Sequence, residues 1–576
     1  MGASEYSLMS YFQPPSQMSK SDRWSGIASY WPRRLLHIPS MNSIERDETN
    51  SYSGQKEPKY GILTYTWGRW HTKWGPALDI KGTTWKIPSV GEEHFSVADF
   101  KSIIDKMGED TEWAWIDVAC IDQEKDSIKM DEIGRQVGIF HNAHKVYVWL
   151  SHLKTTVLKS TLDDIWNYGP DLRFRSESTY TVPELVARLS SAFDTLFADP
   201  WFSSLWTLQE SILRNDALIL SREAEPIPLG YHDGEVYLRI LINTCQNIYQ
   251  DLVKIDAENP SVQDTAKRLV ILIEQVGYFF LFTDNPNVQY GIARHRKTSY
   301  PLDRIYAIMQ IYNLRVGQSV HPKRTYSFEE LEDEFAEALN VSSPILGQMF
   351  VHLHKPKPGK AWRITQLSRV PDSLNSYRSP VFHCQISVTK SGHALFKGKA
   401  CKFVDLVELW EKALELSKEI VDSGSSVLRH IADVDVRVVS LFKPQHISSA
   451  SKYEIILDDY IREGFPTLPL PSEQATREVD YAKREEASRY AKILLEKWGR
   501  ERVWVSLLGE VEGMPIGGRL HAEREWQNVA LLQRQVLSPS GDYYERLGLC
   551  QWQLSTPEAK ELAAAIEWKE SEMELY

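Results

Sequence analysis

Cysteine is scarce in this chain: five among 576 residues, at Cys120, Cys245, Cys384, Cys401 and Cys550, with no C-x-x-C pair. That spacing argues against a disulfide framework and a zinc ribbon, and predicts reduced thiols in a cytosolic or nuclear protein. Long hydrophobic runs are missing as well. The most apolar stretch, Leu269 to Phe282 (LVILIEQVGYFFLF), includes Glu274 and Gln275 and is shorter than the ~20 residues of a membrane span, so it reads as a buried helix. Positive charge is not in excess, since 66 Lys and Arg face 78 Asp and Glu for a net −12. This balance suits a phosphate backbone poorly, and neither nucleic acid nor a membrane span is expected. The chain contains no G-x-x-x-x-G-K-[ST], no H-E-x-x-H, no G-x-S-x-G and no G-x-G-x-x-G after a strand, which disfavours P-loop hydrolysis and zinc proteolysis. Residues 1–28 have neither a basic n-region nor an apolar core and read as a flexible polar tail rather than a signal peptide.

Tryptophan, by contrast, is abundant, with 19 copies. Its indole N–H needs a partner when buried, so the excess implies aromatic-rich cores or aromatic-lined pockets. At roughly 100–200 residues per domain the length predicts about three or four cores. Arg33 to Ile38, Tyr60 to Thr66, Trp113 to Ala119 and Lys145 to Leu150 read as strands. The last two are apolar on both faces, as in a parallel sheet covered by helices. Between them Met130, Ile133, Val137 and Phe140 recur at helical spacing behind Asp126 or Ser127, completing a βαβ unit. Helices follow at Val182 to Phe197 and Trp201 to Leu213, then over Asp264 to Phe282 and Leu302 to Tyr312. Beyond the Pro356 to Gly359 linker come short strands and an amphipathic helix at Val404 to Val421. A second break at Pro466 to Pro471 precedes a charged helix at Thr476 to Arg500. Strands near Val503 to Leu508 and Tyr544 to Leu554 and a helix from Pro557 to about Met573 close the chain. The fold class is thus α/β, with an N-terminal parallel sheet flanked by helices, a helical region and a C-terminal α+β region.

Three clusters fall where an open parallel sheet binds ligands, at the carboxyl ends of its strands. Thr64 to Arg69 ends one strand, Asp117, Cys120, Asp122 and Gln123 end another, and Trp206 to Glu210 opens a helix. Each residue also has a plainer use. Tyr65 and Trp67 could be core aromatics, Gly68 a turn residue and Asp117 a cap. Glu210 could be an exposed charge or the buried partner of Arg69 or Arg214. His141, His144 and Cys120 lack a fourth ligand, so no metal is expected, and Cys120 in its apolar segment reads as packed rather than nucleophilic.

The same clusters resemble the fungal heterokaryon-incompatibility (HET) domain. The blocks are Arg34 to Leu36, Tyr60 to Gly68 (YGILTYTWG), Trp115 to Gln123 (WIDVACIDQ), Ile133 to Leu150, where Phe140 replaces the family's tyrosine, and Trp206 to Glu210 (WTLQE). Arg296 to Ile308 (RKTSYPLDRIYAI) is similar to a segment that often follows the domain. The resemblance implies a TIR-like, flavodoxin-like sheet. It also implies a HET domain at 29–215; a helical region at 216–354 is expected to pack on it, and the architecture alone suggests a regulatory use for the region at 360–576, on which the resemblance is silent. HET domains resemble TIR domains, some of which cleave NAD, and Trp206 to Glu210 is similar to the TIR stretch with the catalytic glutamate, behind a longer insertion here. By this resemblance the chain is expected to be a cytoplasmic cell-death effector of fungal allorecognition or immunity, an NAD glycohydrolase with Glu210 as catalytic carboxylate. Tyr65, Trp67, Gly68, Arg69, Asp117, Asp122, Gln123 and Trp206 would bind NAD as substrate, with no cofactor. Implied partners are a second copy through the HET domain and a protein trigger. The alternative is a non-enzymatic TIR-like assembly module that triggers death through partner binding.

Overall fold

The computed structural model describes residues 31–66, 74–92, 94–174, 178–229, 234–258, 262–279, 281, 285–371, 374, 378–412, 452–464, 476–513, 525–539, 541–553, 561, 563–564 and 566–576. The chain divides into two compact units, residues 1–282 with 292–335, and residues 283–291 with 336–576. The 1–28 tail, Trp67, Gly68, Arg69, the Pro466 to Pro471 break and the second half of the Val404 to Val421 helix lie outside the described residues.

The first unit is built on a six-stranded sheet. Its order is Asn42–Glu45, Arg34–His37, Trp113–Trp115, Tyr60–Thr64, Lys145–Trp149, Leu218–Leu220. The Arg34 strand runs antiparallel to both its neighbours, while the Tyr60 strand is parallel to the Trp113 and Lys145 strands and the Lys145 strand is parallel to the Leu218 strand. The expected parallel sheet is therefore present, with an antiparallel hairpin on one edge. All five residues of Tyr60–Thr64 are buried, as strands covered on both faces require. Gly61 permits the close packing there, because a Cβ would come within 3.2 Å of both Met107 and Tyr147 side chains.

Helices Val97–Gly108, Thr155–Arg173 and Val182–Phe197 accompany this sheet. Ser96 caps the first with a capping box to Asp99, and Thr181 caps the third with Glu184, each satisfying free N–H groups of the first turn. The helix expected between Asp126 and Phe140 is two, Asp126–Ile133 and Gln136–Asn142. The strand expected over Trp113 to Ala119 ends at Trp115, and Asp117–Cys120 forms a helical turn. In the helical region Leu238–Glu258 precedes Gln263–Val276, which stops at Gly277 in a left-handed conformation of φ 89°. Among the described residues no helix is long and apolar enough to cross a membrane.

In the second unit an eight-stranded sheet runs Arg378–Phe382, Val503–Gly513, Glu525–Val536, Tyr543–Gln553, Lys569–Leu575, Ala394–Lys402, Cys384–Val388. Lys452–Leu457 pairs with the Tyr543 strand, and the Ala394 strand also pairs with the Val503 strand, so the ladder returns on itself. Tyr490 and Leu494 of helix Thr476–Trp498 enter the buried cluster with Trp410, Tyr453, Val505 and Trp552. The C-terminal helix expected to reach Met573 is contradicted: Lys569–Leu575 is a strand, paired antiparallel with Ala394–Lys402. Its sequence KESEMEL alternates, with Met573 and Leu575 buried between more exposed neighbours, which is the period of a strand.

Candidate functional site

Numbered along the chain, the four parallel strands stand in the order second, first, third, fourth. The first and third, Tyr60–Thr64 and Lys145–Trp149, are therefore neighbours from which the chain departs in opposite directions, and the carboxyl ends of such a pair frame a ligand crevice. Thr64, Tyr65 and Thr66 lie at that end of the first strand.

Tyr65 serves both packing and polarity. Its ring sits 4.9 Å from Phe100 and 6.2 Å from Trp149 by ring centroids, within a cluster completed by Phe95. Its hydroxyl donates to Asp117 Oδ1 at 2.7 Å. Asp117 Oδ1 also accepts the Val118 N–H at 2.8 Å, so it caps its own helical turn while facing the tyrosine. Burial and the Asp117 charge hold the Tyr65 phenol well above its ordinary range.

Glu210 belongs to helix Leu205–Leu213. Its Oε2 is shut off from solvent and has no hydrogen-bond partner among the described residues. Burial pushes the carboxyl up to about 8, the Thr64 side chain opposes that rise and the Asp117 charge adds to it. A buried carboxyl beside a second carboxylate holds its proton near neutral pH, the condition of many acid–base sites. Thr66 Oγ1 is also buried without a partner among the described residues. The structure thus brings Tyr65, Asp117 and Glu210 together, and of the plainer uses considered for Glu210 it does not place Arg214 there. That guanidinium binds Asp216 and the carbonyls of Phe140 and Ala143.

Trp206 lies one helical turn before Glu210, on the same side of its helix. Its indole N–H donates to Asp303 Oδ2 at 3.1 Å, and Thr298 Oγ1 donates to the same oxygen at 2.8 Å. The remaining two expected contacts serve their loop. Asp122 Oδ1 accepts the N–H groups of Glu124 and Lys125, and Gln123 Nε2 donates to the carbonyls of Asp117 and Ile121.

Cys120 is 1% exposed and burial pushes its thiol up to about 12, which suits packing and not nucleophilic attack. His141 and His144 are exposed, and among the described residues no group of three or more His, Cys, Asp or Glu is placed to hold a metal ion. Two open depressions of about 660 Å³ each lie elsewhere, one lined by Ser190, Asp194 and Arg268, the other by His383, Lys397 and Glu570. Neither includes a residue of the Glu210 cluster.

Sequence reasoning passed over Thr64, whose hydroxyl oxygen accepts the Trp201 indole N–H at 2.8 Å, and Asp303, which accepts the Trp206 indole N–H. The signals were available: Thr64 is the polar end of an apolar strand, and Asp303 lies within the Arg296 to Ile308 block.

Residues 60–210 match the family described as Heterokaryon incompatibility protein (HET). No curated protein and no solved structure matches the chain.

Proposed function

From the premise that residues 60–210 are a heterokaryon-incompatibility domain, we propose that this chain is a cell-death effector of fungal allorecognition or immunity that hydrolyses NAD, with Glu210 as its catalytic carboxylate. The observation that carries the reading is the Glu210 carboxyl itself, with a buried and unpartnered Oε2 among the described residues and with Asp117 close enough to raise its pKa. The strand order supports a TIR-like, flavodoxin-like sheet, whose ligand crevice lies between the first and third strands.

The chemistry is governed by charge. As the bond between ribose C1′ and the nicotinamide nitrogen breaks, its electron pair leaves with the ring, which becomes neutral, and positive charge develops on the sugar. A carboxylate beside C1′ stabilises that charge. Water then adds to C1′ and releases a proton, giving ADP-ribose and nicotinamide. A cationic nicotinamide close to Glu210 favours loss of the carboxyl proton, so substrate binding prepares the ionised form. Trp206, with its N–H held by Asp303, offers a ring face for cation–π contact with the leaving group. Tyr65 and Asp117 provide polar contacts beside it, and Arg69 is the counterpart for the pyrophosphate.

The test is nicotinamide release from NAD by the purified full chain and by Glu210→Gln. The expected outcome is a loss of ~100-fold or more, the scale of removing one electrostatic catalytic group. Toxicity on expression that persists in Glu210→Gln, with no NAD turnover in the wild type, would instead favour the assembly-module reading.

A further inference from the structure

Apart from the Glu210 cluster, two histidines meet between the segments that leave the first and third parallel strands at their carboxyl ends. His94 lies between Tyr60–Thr64 and helix Val97–Gly108, and His152 follows Lys145–Trp149 by three residues. His94 Nδ1 and His152 Nε2 are 3.4 Å apart, with ring planes at 61°. That separation is longer than the about 2.7–3.2 Å common for N–H hydrogen bonds. It is the spacing of two ligands on one tetrahedral ion, because metal–nitrogen bonds of about 2.0–2.1 Å at the tetrahedral angle set their nitrogens about 3.3–3.4 Å apart.

A carboxylate backs the His152 ring. Asp199, whose side chain is fully buried, places Oδ2 3.9 Å from His152 Nδ1, the ring nitrogen other than the one that faces His94. The same oxygen accepts the His152 backbone N–H at 2.9 Å, and Oδ1 accepts the Trp201 backbone N–H at 3.0 Å, so the carboxylate and the histidine backbone are fixed to each other. A carboxylate behind a ligating imidazole orients the ring and raises its basicity. On the other side, the His94 backbone is held by its N–H donating to the Gly91 carbonyl at 3.0 Å. Burial holds His152 below its ordinary range, and positive charge at His94 and Arg222 adds to this, which favours the neutral imidazole that binds metal. Arg222 itself is paired with Asp99 at 3.1 Å.

We propose that His94 and His152 form a binding site for a divalent transition metal of the zinc class, with Asp199 as the carboxylate that positions His152. No third His, Cys, Asp or Glu joins them among the described residues. Two imidazoles supply half of a tetrahedral set, and water or a ligand's oxygen completes it, so the site is open and exchangeable rather than closed and structural. It uses none of His141, His144 and Cys120, and it stands apart from NAD cleavage. A bound ion would tie together the two segments that leave the crevice-forming strands.

Full-length protein stripped of metal by a chelator is titrated with Zn²⁺ against a chromophoric indicator, beside His94→Ala, His152→Ala, the double variant and Asp199→Asn. Each single histidine variant is expected to lose one equivalent of bound Zn²⁺ relative to wild type, and the double variant to lose no more than that one. Asp199→Asn should weaken the same equivalent by ~10-fold or more. Thermal stabilisation by Zn²⁺, which follows from binding to the folded state alone, should shrink in step. Wild-type uptake in either single variant, or a double variant that loses twice what each single one does, would overturn the site, as would a wild type that takes up no Zn²⁺. Should Asp199→Asn fail to fold, the part-exposed histidines decide.

Discussion

Burial raises Glu210 from the usual carboxyl value of 4.5 to about 8, so between those values the folded chain holds a proton that the unfolded chain has released. The native state then binds more protons than the unfolded one, and the group's contribution to stability falls as pH rises through this window. Below the unfolded value both states are protonated and the effect vanishes. Glu210→Gln, which cannot ionise, is therefore expected to be more stable than wild type at pH 8 by on the order of 1–3 kcal/mol, with the two converging near pH 4.5, as read from chemical denaturation across pH. Glu132, pushed up to about 7, and Asp199, pushed up to about 6, titrate in lower windows, so the difference specific to Glu210 is clearest at the alkaline end. Tyr65, Asp117 and Glu210 were legible in the sequence because each sits at the end of an apolar segment or at the mouth of a helix. The bond from the Trp201 indole N–H to Thr64 Oγ1 was not, since it joins residues 137 positions apart.

The helix that bears Glu210 is held from outside the family match. Leu205 N donates to the Lys297 carbonyl and Lys297 N to the Ser203 carbonyl. Arg296, 1% exposed, donates to the carbonyls of Val276, Trp201 and Ser204, and Asp303 receives the Trp206 indole. The Arg296 to Ile308 block thus acts as a clamp on the start of this helix. Arg296→Met keeps the volume but takes both guanidinium donors from the Val276 carbonyl and one each from the Trp201 and Ser204 carbonyls, which keep Thr207 Oγ1, and a buried carbonyl left unpaired costs about 1–3 kcal/mol. It is expected to destabilise the chain by roughly 2 kcal/mol or more in denaturant titration. The strands Tyr60–Thr64 and Lys145–Trp149 and the helix Val182–Phe197 followed their apolar periodicity. Two segments did not read so directly. Trp113 to Ala119 is apolar almost throughout, yet Asp117 bonds its own following N–H and turns the chain into a helix. At the C-terminus a helix was expected to reach Met573, but pairing with Ala394–Lys402 makes a strand of KESEMEL, the outcome when an edge is available to satisfy the backbone.

Each compact unit has buried tryptophans of its own, so the tryptophan excess is divided between two places. In the first unit Trp149 packs with Phe95 and Phe100 beside Tyr65. In the second, Trp410 is 2% exposed and stacks on Tyr453 with ring centroids 4.6 Å apart and planes 10° apart, beside Trp552 at 6.2 Å. Removing a buried indole costs about 3–5 kcal/mol in transfer and cavity terms. Independent cores unfold as separate cooperative transitions, so calorimetry of the full chain is expected to resolve two. Trp410→Ala should lower one of them by roughly 10 °C and leave the other in place, while Arg296→Met shifts the other alone. The Glu210-dependent pH effect should follow the transition that Arg296→Met moves, because Glu210 and Arg296 belong to the same unit. A single transition displaced equally by both substitutions would show that the cores melt as one cooperative body, and the Glu210 effect would then be spread over the whole chain.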